Sequence, residues 1–245
     1  MKVSNNILIA AIVCCVLCVL LSIAAVSLYQ CAYSLIDPYN RLALCLDNYY
    51  QMANWAFLLY DLLHLFVIAI FALVLAQSFN WEAWMGGGAA IISTLADIAS
   101  ISVNMFIVMA GQRALALGKA PGFATPEAGY EVISQTLDFA NASFGLVGIL
   151  FLGTAAIKAT GISKVVGWVL LAGLPLGFLQ FAEVGLRMPW TLFVDAWMTP
   201  LAEITQQIVI GIAFWTILRQ RQQPNHPERG TRAVRNPPLK GSVAG

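Results

Sequence analysis

Six long apolar stretches restrict the fold of this chain more than any other feature of the sequence. They run near residues 7–29, 54–76, 85–109, 137–158, 164–186 and 199–218. A helix needs about 20 consecutive apolar residues to cross roughly 30 Å of hydrocarbon. Because unpaired backbone groups are costly in lipid, such stretches cross as helices. We therefore predict an all-α, polytopic transmembrane helix bundle of about six spans, which occupies residues 1–218.

The scarcity of charge agrees with lipid as the main solvent. Only 10% of the 245 residues are charged and 60% are hydrophobic, whereas soluble domains average about 25% charged residues. Six of the 13 Lys and Arg residues lie after residue 218. That segment, 219–245, is rich in Pro, Arg, Gln and Gly, and we predict a disordered basic tail. A basic cluster beside a span is typical of the cytoplasmic side of a membrane, so it does not indicate a nucleic-acid partner.

The distribution of Lys and Arg predicts the orientation. With six spans, both termini lie on one side of the membrane together with nine of the 13 basic residues. Cytoplasmic loops carry the excess of Lys and Arg, so we predict cytoplasmic N- and C-termini in a plasma (inner) membrane. The four basic residues then left outside are Arg41, Arg113, Lys119 and Arg187.

The first apolar stretch also has features of a secretory signal peptide. Lys2 precedes it, and the small residues Ala24 and Ala25 lie near its end. Its apolar run is longer than the 7–15 residues usual in signal peptides, which favours a retained helix.

Two cysteines flank the first predicted outside loop. Cys31 precedes the loop segment around Asp37 and Pro38, and Cys45 follows it. In an oxidising compartment Cys31 and Cys45 could form a disulfide, and otherwise both are free thiols. The sequence leaves both alternatives open.

Polar residues recur inside the spans at helical spacing. A charged group within a span costs about 2.5–3.5 kcal/mol on insertion scales, so it marks pairing or function. Ser93, Asp97, Ser100 and Asn104 in the third span are spaced to share one helix face. The other spans carry Asn54, Asp61 and His64; Asp138 and Asn141; Gln180 and Glu183; and Glu203, Gln206 and Gln207.

On the predicted orientation these polar residues concentrate in the outer half of the membrane. We therefore predict a polar pocket between the helices, open to the outside and closed on the inside by apolar packing. Asp97 would be its buried anchor, and His64 the group that titrates most readily near neutral pH. The candidate ligand-binding residues are Asp61, His64, Asp97, Ser100, Asn104, Asn141, Gln180, Glu183, Glu203 and Gln206.

Each of these groups also has a purely structural interpretation. Asp61 and His64 lie one turn apart and could pair with each other. Polar side chains of the third span could be hydrogen-bonding contacts between helices. Glu183 and Arg187 fit an interfacial ion pair. Glycines of the fourth and fifth spans are expected at close helix crossings, and Pro175 is expected to kink the fifth span.

The sequence offers little support for metal or nucleotide chemistry. His64 and His226 are the only histidines, which argues against a bis-histidine haem and against a metal site. No phosphate-binding loop, GxSxG, HExxH or Rossmann fingerprint is present. We predict no catalytic or metal-binding residue, and the sequence leaves any cofactor unknown.

One stretch resembles a bacterial six-pass membrane protein family of uncharacterised function. The resemblance rests on a glycine-rich helix around Phe144-Gly145-Leu146, a short basic turn at Lys158, and a further apolar helix through Gly167-Trp168 and Gly173. The chain departs from that family at 161–164, where a proline is expected. The resemblance implies the six-span architecture and no particular activity.

The leading hypothesis is a membrane protein whose outward-facing pocket binds a small or amphipathic ligand or a partner subunit. One alternative is a proton- or ion-coupled transporter of small solutes, with Asp97 or Asp61 as the carrier carboxylate. Another is an accessory subunit of a larger membrane complex. A last one is an intramembrane enzyme that uses Asp61 and His64 as an acid–base pair.

Overall fold

The fold is all-α throughout the part of the chain that the structure describes. The computed structural model describes residues 3–36, 41–77, 81–118, 124–159, 162, 164–186 and 198–222, and these contain no strand. The helices are α1 (Asn5–Leu35), α2 (Arg41–Leu46), α3 (Asn48–Ala76), α4 (Trp81–Ala116), α5 (Ala124–Lys158), α6 (Lys164–Ala172), α7 (Leu174–Leu186) and α8 (Thr199–Gln222).

Six helical segments are long and apolar enough to cross a membrane, which confirms the predicted bundle. The segments are Asn5–Leu35, Asn48–Ala76, Trp81–Arg113, Val132–Lys158, Lys164–Ala182 and Thr199–Gln222. Large apolar side chains such as Val13, Val16 and Leu20 of α1 are exposed on the outside of the bundle. An apolar outer surface of this kind requires lipid as its solvent, so the chain is an integral membrane protein.

The first and last helices meet at one face of the bundle. Arg221 Nη1, in the last turn of α8, donates a hydrogen bond of 2.6 Å to the backbone oxygen of Val3. We call this side the terminal face and the opposite side the far face. The predicted orientation assigns the terminal face to the cytoplasm. Residues 223–245, with most of the predicted disordered tail, lie outside the described residues.

Helix packing follows chain order except where α1 closes the arrangement. α1 packs on both α3 and α8, α3 on α4, α4 on α5, and α5 on α6 and α7. An apolar core fills the terminal half of the bundle, where Leu8, Phe71 and Phe214 are fully buried. The rings of Phe71 and Phe214 meet edge to face, with their centroids 6.0 Å apart.

Glycines permit close helix crossings on both sides of α4. A Cβ added to Gly86 would lie 2.6 Å from the backbone nitrogen of Leu152 in α5, and one added to Gly148 would lie 3.0 Å from the Cβ of Ala90. A Cβ on Gly87 would collide with Ala72 of α3. Small residues of this kind let helix backbones approach closely in membranes.

The fifth span consists of two helices rather than one. α6 ends at Ala172, Gly173 forms a turn, and α7 begins at Leu174. Pro175 has no N–H, so it cannot donate to the carbonyl of Leu171 and continue the helix of α6. The kink expected at Pro175 therefore takes the form of a helix break at Gly173.

Most of the cysteines are free thiols. Cys14, Cys15 and Cys18 lie within α1, and Cys31 is exposed near its far end. The side chain of Cys45 lies outside the described residues. The disulfide between Cys31 and Cys45 therefore stays a prediction.

An ion pair joins α4 and α5 at the terminal face. Lys158 Nζ donates to Glu82 Oε1, and the Glu82 side chain is buried while that of Lys158 is exposed. We expect Lys158→Met to lower the unfolding midpoint in detergent, because it removes the cation that offsets the charge of the Glu82 carboxylate. Lys158→Arg keeps the positive charge and serves as the control. Equal midpoints for both variants would show that the pair adds nothing to stability.

Candidate ligand-binding cavity

A cavity of about 360 Å³ lies between α3, α4, α5, the fifth span and α8. Ligand pockets typically measure about 300–1,000 Å³, so its volume fits a small molecule. Asp61 precedes the end of α3 by 15 residues, and Asp97 follows the start of α4 by 16. At 1.5 Å per residue, these groups lie roughly 22–24 Å from the terminal ends of their helices. The polar part of the cavity therefore lies near the midpoints of α3 and α4.

Most of the polar residues singled out in the sequence come together on this cavity. The lining includes Asp61, His64, Asp97, Asn141, Gln180, Glu203 and Gln206. Ser100 and Asn104 are not part of the lining, and the side chain of Glu183 lies outside the described residues. Arg187, its expected partner in an ion pair, also lies outside them.

Ser100 belongs to a contact between helices instead. Its Oγ lies 2.9 Å from Ser134 Oγ and donates a 2.5 Å hydrogen bond to Asp138 Oδ1 of α5. The face that begins at Ser93 and Asp97 therefore changes role along α4. It lines the cavity first and then packs against α5, as the structural interpretation of this stripe expected.

Asp61 is the most enclosed charged group of the cavity. Its side chain is 2% exposed, and its Oδ2 atom has no hydrogen-bond partner among the described residues. Asp97 and Glu203 lie within electrostatic range of it. A buried polar atom without a partner costs about 1–3 kcal/mol, so a carboxylate in this position needs a compensating group.

His64 pairs with Gln207 of α8 rather than with Asp61. Gln207 Nε2–H donates to His64 Nδ1, which leaves the ring proton of a neutral imidazole on Nε2. The Tyr60 ring stacks on His64 with centroids 5.5 Å apart and an angle of 8° between the planes. These contacts fix the histidine on the cavity wall and connect α3 to α8.

A second hydrogen bond fixes the opposite wall. Ser93 Oγ of α4 donates to Asn141 Oδ1 of α5 at 2.5 Å, and it also lies 3.0 Å from the Asn141 backbone oxygen. A Cβ on Gly145 would lie 3.1 Å from the same Ser93 oxygen. The absence of a side chain at Gly145 thus lets the two helices approach closely enough for this bond.

The cavity is polar at one end and apolar at the other. On α3, Asp61 and His64 lie toward the far face, and Ile68 lines the cavity one turn closer to the terminal face. On α5, Asn141 lines the far end and Leu152 the terminal end. The same order on neighbouring helices makes the cavity amphipathic along the membrane normal.

The charged groups of the lining all have one sign. Asp61, Asp97 and Glu203 are acidic, and no Lys or Arg occurs in the lining among the described residues. Across the described ranges, no group of three or more His, Cys, Asp or Glu side chains is arranged to hold a metal ion. The three carboxylates thus share one cavity without forming a metal cage.

One edge of the cavity is apolar and exposed. Met198 and Leu201, at the start of α8, both line the cavity. Their side chains are 37% and 61% exposed. The start of α8 therefore forms an apolar, exposed edge of the cavity.

Several features of the site lie beyond the polar spacing of the sequence. Tyr60 and Thr94 line the cavity, although neither belongs to the polar spacing of the sequence. The Thr94 hydroxyl donates a hydrogen bond to the Ala90 carbonyl of its own helix. Asn54 lies on α3 but accepts a 2.8 Å hydrogen bond from Tyr29 of α1. The residues of the helix break, Ala172 and Gly173, also line the cavity.

In comparisons with known proteins, no family model, curated protein or solved structure matches the chain.

Proposed function

We propose that this protein binds a small or amphipathic ligand in the cavity between α3, α4, α5, the fifth span and α8. The observation that carries the proposal is Asp61, which lines the cavity and whose buried Oδ2 has no hydrogen-bond partner among the described residues. Intramembrane ionisable groups are expensive and are retained where they pair or function. A bound ligand would supply the partner that Asp61 lacks in the described part of the chain.

Binding is favoured over transport by the apolar core beneath the cavity. Fully buried Leu8, Phe71 and Phe214 belong to that core, in the terminal half of the bundle. A transported solute would need a second opening on that side, as in transporters that alternate access across a central site. Binding is also favoured over catalysis by an acid–base pair of Asp61 and His64, because the described contacts bond His64 to Gln207 and not to Asp61. On the predicted orientation, the ligand comes from the extracytoplasmic side.

The proposal predicts that the cavity is open to water from the far face. We would place the substitution Ala142→Cys, on the cavity wall of α5, in a background without the native cysteines. In reconstituted vesicles, an impermeant thiol reagent should label this residue from the far face and not from the terminal face. Mass spectrometry of the intact protein measures the labelled fraction.

Ala140→Cys is the matched control because Ala140 lies on the same helix at nearly the same depth and is not part of the lining. It should stay unlabelled, since lipid and protein packing exclude the reagent. Absence of labelling at Ala142→Cys from both faces would refute the open pocket. Labelling from both faces would instead support transport.

A further inference from the structure

We propose that the ligand is a cationic amphiphile: an amine whose charged group lies among Asp61, Asp97 and Glu203, with a hydrocarbon chain directed toward the terminal face. This proposal rests on the proposed function, because it names the chemical class that the same cavity binds. It is carried by the charge of the lining, by the order of polar and apolar residues, and by the exposed edge of the cavity.

The charge of the lining selects a cation. Three carboxylates line the cavity, and the described lining contains no Lys or Arg. Asp61 is 2% exposed and its Oδ2 atom has no hydrogen-bond partner among the described residues. Carboxylates that share a low-dielectric site repel one another, and an ammonium group would offset this repulsion. Its N–H groups would also satisfy the buried oxygen of Asp61.

The described geometry favours an organic cation over a metal ion. Metal ions such as Ca²⁺ need six or more oxygen ligands at about 2.3–2.6 Å. Among the described residues, no cluster of three or more acidic, His or Cys side chains is arranged in that way. An ammonium group has less demanding geometry, because it can donate to carboxylates spread along a cavity wall.

The remaining volume of the cavity suits a hydrocarbon chain. Toward the terminal face, the lining changes to the apolar residues Ile68, Ile149, Leu152 and Leu170. A chain placed there would bury apolar surface at about 25 cal/mol per Å² relative to water. A lipid in the far leaflet has the same orientation as this ligand, with its polar head at the far face and its chain toward the bilayer centre.

The exposed edge of the cavity gives such a ligand a route from the membrane. Met198 and Leu201 line the cavity, and both are apolar and exposed. A molecule already dissolved in the far leaflet could pass beside α8 without first leaving the lipid. A small water-soluble amine would gain no apolar contact energy at this edge.

The test uses the Ala142→Cys variant as a reporter of cavity occupancy in zwitterionic vesicles. The rate of labelling by the impermeant reagent is measured with dodecylamine, dodecanol or dodecanoic acid at one mole fraction in the lipid, and with ethylamine in the water. We expect dodecylamine to slow labelling several-fold, and dodecanol, dodecanoic acid and ethylamine to leave the rate unchanged.

Charge-removing variants assign the effect to the cavity. Asp61→Asn in the reporter background should abolish the protection by dodecylamine. Asp138→Asn should keep it, because Asp138 is bonded to Ser100 and lies outside the lining. The thermal unfolding midpoint of each variant, with and without dodecylamine, provides a second measure of binding that does not depend on labelling.

The outcomes separate this proposal from the proposed function. If Ala142→Cys is labelled and dodecanol protects as well as dodecylamine, a ligand pocket exists but the preference for a cation is overturned. Equal protection by ethylamine overturns the need for a chain. If Ala142→Cys is not labelled at all, both proposals fall.

Discussion

Replacing Asp61 with leucine should make this protein more stable and abolish its ligand binding. Asp61 is buried and its Oδ2 atom has no hydrogen-bond partner among the described residues, so the folded state bears the cost of desolvating it. Leucine removes that cost and fills part of the cavity. The gain should be on the order of 1–2 kcal/mol, the range typical when a strained functional group is replaced. Unfolding in mixed micelles by titration with SDS measures it, and dodecylamine protection measures the loss of binding.

Asp138→Leu provides the comparison of opposite sign. Asp138 accepts a hydrogen bond from Ser100 in the contact between α4 and α5, so its removal leaves a buried serine hydroxyl with one partner fewer. We expect this variant to lose stability, by about 1 kcal/mol. If Asp61→Leu were also destabilising, Asp61 would act as a structural contact, and the proposal of a ligand site would lose its main support.

Replacing Gly86 with alanine should separate α4 from α5 and destabilise the bundle. The added Cβ would lie 2.6 Å from the backbone nitrogen of Leu152 and 2.9 Å from the Cβ of Phe151. Backbone atoms cannot rotate away as a side chain can, so the helices themselves must shift. Overpacking of this kind costs about 1–3 kcal/mol. Titration with SDS in mixed micelles measures the change in the free energy of unfolding.

Gly88→Ala is the matched control, two residues further along the same helix. A Cβ at Gly88 meets no atom within 4 Å among the described residues. The same chemical change should therefore leave stability unchanged or slightly raised, because alanine favours the helix by up to about 1 kcal/mol. Equal effects at both positions would mean that helix propensity, rather than the close crossing, determines the result.

The architecture could be predicted from the sequence because a single physical requirement dominates it. Hydrocarbon thickness and backbone hydrogen bonding together fix the length and type of each span. The ends of the helices could be predicted less well from the sequence. α3 begins at Asn48, six residues before the predicted span, and α8 continues to Gln222. Hydropathy locates the part of a helix in lipid and does not detect turns that extend beyond it.

The candidate site could be predicted in part, because residue spacing gives the face of a helix but not the neighbour that covers it. Asp97 and Ser100 share a face of α4, yet Asp97 lines the cavity and Ser100 is bonded to α5. The structural interpretation of the sequence allows His64 to pair with Asp61, but in the structure His64 is bonded to Gln207 of α8. That contact spans 143 residues of sequence, and no local pattern encodes it.

The ion pair at the terminal face follows from a pattern that is present in the sequence. Glu82 and Lys158 are 76 residues apart. Both lie at the same end of the third and fourth spans, which are antiparallel neighbours in the predicted topology. Opposite charges at the same depth on neighbouring spans predict an ion pair once the order and direction of the spans are known.

The contact between α1 and α8 has a consequence for the order in which the protein can be assembled. Among the described helices, α1 comes before all the others along the chain and is covered by α8, which also contributes Glu203 to the cavity and Phe214 to the core. Before α8 is in place, the cavity wall that carries Asp61 and His64 is incomplete, and His64 lacks its hydrogen bond to Gln207. The cavity is complete only once α8 has packed against α1, because α8 supplies part of its lining.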